Sequence, residues 1–257
     1  MRQSAGAEGT QVGGVSVVVP TFNEAGNVGE LIRRLAAVLD PDRSEILIVD
    51  DSTDDTAAVA AVQSGQLPHC VDIVHRDEPV GGLSGAVLVG MGLAVHEWVV
   101  VMDGDLQHPP EDLPRLLAAG ESRGADIVIA SRYRDGGSAG GLDGSVRHLV
   151  STASTLLART LFPRRLRECT DPMTGFFAVR RESLDLKAMQ PQGFKILLEV
   201  LLRHQLTMTE IPFSFGVRSA GASKATLANG SAFLRQLVTL RLQPTSTVRG
   251  AAAVEVV

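Results

Sequence analysis

The stretch that most constrains this chain is Val99-Val100-Val101-Met102-Asp103-Gly104-Asp105-Leu106-Gln107-His108-Pro109-Pro110. An apolar run opening with Glu97-Trp98 has the composition of a buried strand, and it stops at Asp103, where Gly104 permits a turn. Asp105 and Gln107 follow at alternate positions, so three oxygen-bearing side chains gather just past a strand's carboxyl end. In open parallel sheets covered by helices, that is the edge on which ligands bind. Carboxylate and carboxamide oxygens are hard donors of the kind Mg²⁺ or Mn²⁺ takes. An isolated Asp-Gly-Asp is as readily a solvated acidic turn, so the rest of the chain has to decide.

Around this stretch the apolar runs alternate with helical spacing. Residues 15–19 are a β-branched run stopped by Pro20. Asn27 followed by Glu30 offers a helix cap, and Val28, Leu31, Ile32, Leu35, Val38 and Leu39 recur at helical spacing up to Pro41. Residues 46–49 form a second strand that again runs out into carboxylates, Asp50-Asp51-Ser52-Thr53-Asp54-Asp55, before a short Ala/Val helix. Residues 71–74 are a third strand. The glycine-rich segment from Gly81 to Gly92 then opens a helix whose small residues let the backbone approach a ligand or a neighbouring strand. Residues 126–130 are the fifth strand, leading to Ser131-Arg132-Tyr133-Arg134 and a glycine-rich loop. A helix over about 145–161 puts Arg147 and Ser151 on one face. After Arg164, Arg165, Arg167 and the turn Asp171-Pro172-Met173-Thr174-Gly175 come a strand at 176–179, a helix at 193–204 and a strand at 208–215. Apolar rather than alternating runs in this order predict an α/β fold with a mainly parallel sheet and helices on both faces.

At 257 residues, 44% hydrophobic and 21% charged, the chain fits one α/β domain with a small appendage. Its net charge of −5 hides an asymmetry: residues 1–128 hold 20 acidic and 7 basic side chains, residues 129–257 hold 9 and 17. The first half suits a cation; the second suits phosphates or an anionic membrane surface. Cys70 and Cys169 match no metal or disulfide spacing, which favours a reducing cytoplasm. No apolar run approaches the roughly 20 residues of a membrane span, and the polar start lacks a signal-peptide core. GxGxxG, Gly-Lys-Ser/Thr and Gly-x-Ser-x-Gly are absent, which weakens dehydrogenase, kinase and hydrolase readings. No feature points to nucleic acid. Phe233, Leu234, Leu237, Val238 and Leu240, with Arg235 and Arg241, form an amphipathic basic helix that either packs on its own domain or lies on a membrane interface.

These residues resemble family 2 glycosyltransferases of the GT-A type and, among them, the dolichol-phosphate and polyprenol-phosphate mannose synthases. The resemblance runs from about Val15 to Arg241. It rests on Val-Val-Val-Pro20-Thr21-Phe-Asn-Glu24, Ile-Val-Asp50-Asp51-Ser-Thr-Asp54, Met-Asp103-Gly-Asp105-Leu-Gln107-His-Pro-Pro, Ser131-Arg132-Tyr133, Asp171-Pro-Met-Thr-Gly175-Phe-Phe, Gly193-Phe-Lys-Ile-Leu-Leu-Glu199 and Arg218-x-x-Gly-x-Ser-Lys224.

The resemblance implies a GT-A, Rossmann-like nucleotide-diphospho-sugar transferase over residues 15–216, with an acceptor loop and amphipathic helix at 217–242 between disordered ends at 1–14 and 243–257. It implies nucleotide-sugar contacts from Pro20, Thr21, Glu24, Asp50, Asp51 and Gly82, with Asp51 facing the guanine. Asp103, Asp105 and Gln107 would hold Mg²⁺ or Mn²⁺ on the diphosphate. Arg132 resembles the active-site arginine; Arg147 and Ser151 sit where the family grips the acceptor phosphate; Arg218 and Lys224 resemble loop cations that close over the diphosphate. The implied reaction is inverting transfer of mannose from GDP-mannose to a polyprenyl phosphate, by a protein held peripherally at the cytoplasmic face through a membrane surface or membrane partner. A sister transferase using UDP-glucose or a soluble acceptor is the alternative. Two departures stand out. The family's basic residue just ahead of Gly-Leu-Ser is replaced by Val80 and Gly81, with Arg76 several residues earlier, and the C-terminal membrane helices of many members are absent.

Overall fold

The computed structural model of the chain describes residues 13–140, 145–190, 194–216 and 227–242. β1 (Val15–Thr21), β2 (Ser44–Asp50), β3 (Cys70–His75), β4 (Trp98–Val101), β5 (Ile127–Ser131), β6 (Phe177–Arg180) and β7 (Met208–Pro212) pair in one sheet, in the order β3-β2-β1-β4-β6-β5-β7. Every neighbouring pair is parallel except those of β6, which runs antiparallel to both β4 and β5. β1, β2, β4 and β5 are buried along their whole length, which is why they read as apolar runs. β3 is the edge strand, with Cys70, Asp72 and His75 more exposed than a central strand allows.

Both faces are covered. α1 (Val28–Val38), α2 (Thr56–Ser64) and α4 (Leu113–Arg123) pack Leu31, Ile32, Leu35, Ala60, Leu113 and Leu116 against Val17, Ile46, Ile48, Val100 and Val128. On the other face α3 (Gly82–Leu93), α5 (Ser145–Leu161), α6 (Ile196–Arg203) and α7 (Leu227–Leu242) pack against Val18, Leu47, Val99, Ile129 and Phe177. The small residues of α3 serve this contact: a Cβ on Gly90 would come 2.3 Å from Val18 Cγ1, so only glycine lets the helix sit so close to β1.

Some local expectations change. Asn27 precedes α1 without capping it; its amide donates to Glu24 Oε2 at 2.7 Å, and Glu30 pairs with Arg33 instead. The sixth strand begins one residue late, α6 starts at Ile196, and β7 ends at Pro212, with Ser214 making only an isolated bridge to Ser138. α7 packs on its own domain with one side of its apolar pattern. Phe233, Leu237 and Leu240 turn inward, each contributing roughly 1.5–3 kcal/mol on leaving water, while Leu234, Val238 and Leu242 remain 55–78% exposed on a second stripe. No helix among the described residues is long and apolar enough to cross a membrane.

This topology fixes where a site can form. β1, β2, β4 and β5 all end on one edge of the sheet, and because β6 is reversed, the turn that precedes it, residues 171–175, arrives at the same edge beside the exit of β4.

Candidate active site

Two groups of side chains occupy that edge. The first lies where β1 and β2 end side by side. Thr21 and Ser52 hydroxyls donate to Asp50 Oδ1 at 2.6 and 2.5 Å, and His75 Nδ1 lies 2.9 Å from Oδ2. Asp50 is fully buried and ties the ends of β1, β2 and β3 together, so Thr21 and Asp50 face each other and shape the edge from behind. Pro20 is buried within β1, and Glu24 is half-buried, its N–H donating to Thr56 Oγ1 at 2.8 Å.

Asp51 is gripped by Arg76, with Nε on Oδ1 at 2.7 Å and Nη2 on Oδ2 at 2.6 Å. The same guanidinium donates to the carbonyls of Val80 and Gly82 at 3.1 and 3.0 Å. Arg76 therefore brings a cation from the end of β3 to the backbone of Val80 and Gly82, where the local sequence offers no other cation. Its signal in the sequence is its isolation, since no other lysine or arginine occurs between Arg43 and Arg115. A cavity of about 620 Å³ opens along Arg76, Asp77, Glu78, Val80 and Gly85, and none of the residues to which the resemblance assigns a substrate or metal contact lines it.

The second group surrounds the exit of β4. Leu106 takes a left-handed conformation (φ 64°), which folds the loop so that Asp105 Oδ1 accepts the Gln107 N–H at 3.1 Å. Gln107 is clamped to Gly216: its side-chain amide donates to the Gly216 carbonyl at 3.0 Å, and the Gly216 N–H returns to its carbonyl at 2.8 Å. The Asp103 N–H donates to His108 Nδ1 at 3.0 Å, which places the imidazole proton on Nε2. Burial among Phe176, Phe213 and Phe215 lowers the pKa of His108 against the pull of Asp103 and Asp105, so this ring stays neutral. The Asp103 side chain is 37% exposed, and its one ion-pair contact among the described residues is that uncharged Nδ1, 3.7 Å away. A Cβ on Gly175 would sit 2.8 Å from Asp103 Oδ1, so the turn before β6 presses directly on this carboxylate.

Arg132, at the exit of β5, is almost fully buried and holds Asp171 from two nitrogens at 2.7 and 2.8 Å, with the Phe215 ring under its guanidinium. Burial opposes its charge, but Asp171 more than offsets this and raises its pKa. Lys195, just ahead of α6, points its ammonium into the same region and donates to the Met173 carbonyl at 3.1 Å. Burial, with the Arg132 charge, lowers its pKa to about 8 against the pull of Asp103 and Asp171. His108, Asp171, Gly175 and Lys195 all lie in the quoted motifs, yet the sequence assigned none of them a role. The structure thus brings Asp103, Asp105, Gln107 and Arg132 together. Arg147 and Ser151 lie on the α5 backbone, and their side chains, like all of Arg218 and Lys224, fall outside the described residues.

An open sheet with one reversed strand, carrying paired carboxylates at the exit of β4 and an arginine across from them, defines the GT-A class of glycosyltransferases. The chain belongs to the family described as glycosyl transferase family 2, whose model matches residues 16–186. It is 41% identical over 212 residues to the dolichol-phosphate mannosyltransferase of Pyrococcus furiosus, covering 82% of this chain but only 58% of that protein. The dolichol-phosphate mannosyltransferase of Mycosarcoma maydis is 35% identical over 256 residues, which cover 93% of this chain and 84% of the relative. Glucosyl-3-phosphoglycerate synthase from Mycobacterium tuberculosis, crystallised with Mn²⁺, UDP and its product, shares the fold with a TM-score of 0.66 at 23% identity over 90% of this chain and 79% of that one.

Proposed function

We propose that this protein transfers mannose from GDP-mannose to a polyprenyl phosphate with inversion at the anomeric carbon. The observation that carries the reading is the charge arrangement at the exit of β4: the exposed Asp103 carboxylate, Asp105 beside it, and the Arg132 and Lys195 cations within reach. The relatives' names supply the substrate class, mannose and a lipid phosphate.

The donor set of two carboxylates and one carboxamide, all oxygen, fits a hard divalent cation, and Asp103, Asp105 and Gln107 would hold it. When bound, Mg²⁺ or Mn²⁺ neutralises charge on the departing diphosphate. The protein's own part is alignment and charge. Arg76 and Asp51, locked together, frame the nucleoside end, and Arg132 stands at the sugar-phosphate end, held in place by Asp171. A lipid monophosphate is already an anion and attacks without a protein base, so the side chains have to bring two anions together and stabilise the leaving one. Arg147, Ser151, Arg218 and Lys224 complete this reading on the acceptor and diphosphate.

The exposed apolar stripe of α7, flanked by Arg235 and Arg241, together with exposed Leu156 and Leu161 and the cations Arg159, Arg164 and Arg167 around the end of α5, supports peripheral attachment to an anionic membrane face, on the cytoplasmic side. The test is a thermal-shift screen of GDP-mannose, UDP-glucose and UDP-GlcNAc with and without Mn²⁺, followed by transfer of labelled sugar to polyprenyl phosphate. A ligand that binds only the folded state raises the melting temperature, and GDP-mannose with Mn²⁺ is expected to give the largest rise. A clear preference for a uridine nucleotide would replace this donor with that of the sister enzymes.

A further inference from the structure

Among the described residues, α7 reaches Lys195 at the candidate active site through the side chain of Gln236. Gln236 lies among the buried Phe233, Leu237 and Leu240, is 2% exposed and donates from Nε2 to the Lys195 carbonyl at 3.2 Å. Gln236 Oε1 has no hydrogen-bond partner among the described residues. Burying a carboxamide with one acceptor unmatched costs stability, on the order of 1–3 kcal/mol, and an apolar residue of similar volume would remove that cost. The residue is therefore poorly explained as packing.

From Lys195 the contacts continue inward. Its carbonyl also opens the α6 ladder by accepting the Glu199 N–H at 3.4 Å, so the Gln236 bond fixes the point at which α6 begins. Its ammonium holds the Met173 carbonyl at 3.1 Å. Met173 is the centre of the turn whose Asp171 grips Arg132 and whose Gly175 abuts the Asp103 carboxylate. One turn thus meets both the acidic and the basic member of the cleft, and Lys195 is the side chain that clamps it from α6.

We propose that Gln236 is a positioning residue: by holding Lys195 it sets the 171–175 turn, and so the spacing of Arg132 and Asp103, making the seating of α7 part of the active-site geometry. The inference rests on the transferase reading of that cleft. It links the helix that carries the exposed apolar stripe to turnover, so that a lipid surface acting on α7 also acts on the site.

The experiment compares wild type with Gln236→Met, Lys195→Met and the double variant, using two acceptors: a short, water-soluble prenyl phosphate without lipid, and a long-chain polyprenyl phosphate in phosphatidylcholine–phosphatidylglycerol vesicles. Gln236→Met is expected to keep or raise the melting temperature while lowering kcat about tenfold with both acceptors, leaving the donor KM within about twofold. Lys195→Met is expected to lose more, and the double variant no more than Lys195→Met alone, because both act on one turn. A loss confined to the vesicle-borne acceptor would reduce Gln236 to a part of membrane attachment and overturn the proposal. So would losses that multiply in the double variant. Hydrogen exchange reads the same link without substrate: the Thr174 and Phe176 amides, bonded to the Asp171 carbonyl and the Thr174 hydroxyl, are expected to exchange about tenfold faster in Gln236→Met, and unchanged exchange overturns the link. Failure of the donor reading looks different, since wild type itself would then prefer another nucleotide sugar, and the variants would be compared on that one.

Discussion

The exits of β2 and β4 both run into paired aspartates, and the protein treats them in opposite ways. At β2, Asp50 is fully buried under Thr21, Ser52 and His75, and Asp51 is neutralised by a bidentate arginine. At β4, Asp103 keeps a third of its side chain in solvent and faces an imidazole that burial keeps uncharged. A carboxylate satisfied by its own protein builds a frame; one with no salt-bridged arginine or lysine among the described residues keeps capacity for charge brought from outside. In the proposed function, the same motif chemistry serves a rigid nucleoside end at Asp50 and Asp51 and a cation-seeking diphosphate end at Asp103 and Asp105.

The largest expected effect breaks the contrast at β4. Replacing Asp105 with alanine removes one of two hard anionic donors, and transfer of labelled mannose to polyprenyl phosphate should fall by about three orders of magnitude, with loss of the Mn²⁺-dependent thermal shift. Activity retained in Asp105→Ala would remove the metal-clamp reading and leave the fold untouched. Next comes the buried pair across the cleft. Arg132→Ala removes the ion-pair partner of Asp171, whose side chain is 0% exposed, so unfolding by urea should show a loss of about 3–5 kcal/mol together with loss of turnover. Arg132→Met with Asp171→Leu should regain most of that stability and none of the activity, because an apolar pair can fill the space without carrying the charge. If the double variant also regains turnover, Arg132 is only a strut.

Most of this site was legible in the sequence at the level of strands and motifs. The apolar runs before Asp50 and Asp103 predicted buried parallel strands because those strands are covered on both faces, and the β4 exit, with its alternating oxygens, pointed to the edge of the sheet on which the candidate site is built. What stayed hidden was pairing across the fold. Asp50 and Asp51 look alike in sequence, and only the approach of His75 and Arg76 at the end of β3 separates a fully buried tie from a carboxylate held by an arginine. The reversal of β6 was equally hidden, since a four-residue apolar strand carries no sign of direction, and with it the way Asp171 and Gly175 reach the cleft. Lys195 is one of three lysines in the chain and stood inside a quoted motif, but its role depends on a carbonyl that no spacing rule predicts.

The frame at β2 makes a smaller prediction. Arg76→Met frees Asp51 and removes the hold on the Val80 and Gly82 carbonyls, which should loosen nucleotide binding before and during reaction alike. The donor KM is then expected to rise about tenfold with kcat nearly constant, as measured by initial rates across donor concentrations. A fall in kcat at constant KM would move Arg76 from the frame into the reacting centre and erase the division between the two exits.

The finest test acts on one carboxylate without touching its charge. Gly175→Ala places a methyl group 2.8 Å from Asp103 Oδ1, and because the obstacle is the free end of a side chain rather than backbone, the carboxylate can swing aside at little cost to the fold. The melting temperature should move by no more than a degree or two, while the Mn²⁺ concentration for half-maximal activity rises severalfold as the donor leaves its place. The matching change at the other exit, where Asp50 is held by three partners, has no such slack: Thr21→Val should cost stability, about 1–3 kcal/mol for a buried acceptor left short of a donor, and leave metal dependence where it was. If Gly175→Ala left the metal response unaltered, or Thr21→Val shifted it, the carboxylates of the two exits would not be divided between frame and cation as their surroundings indicate.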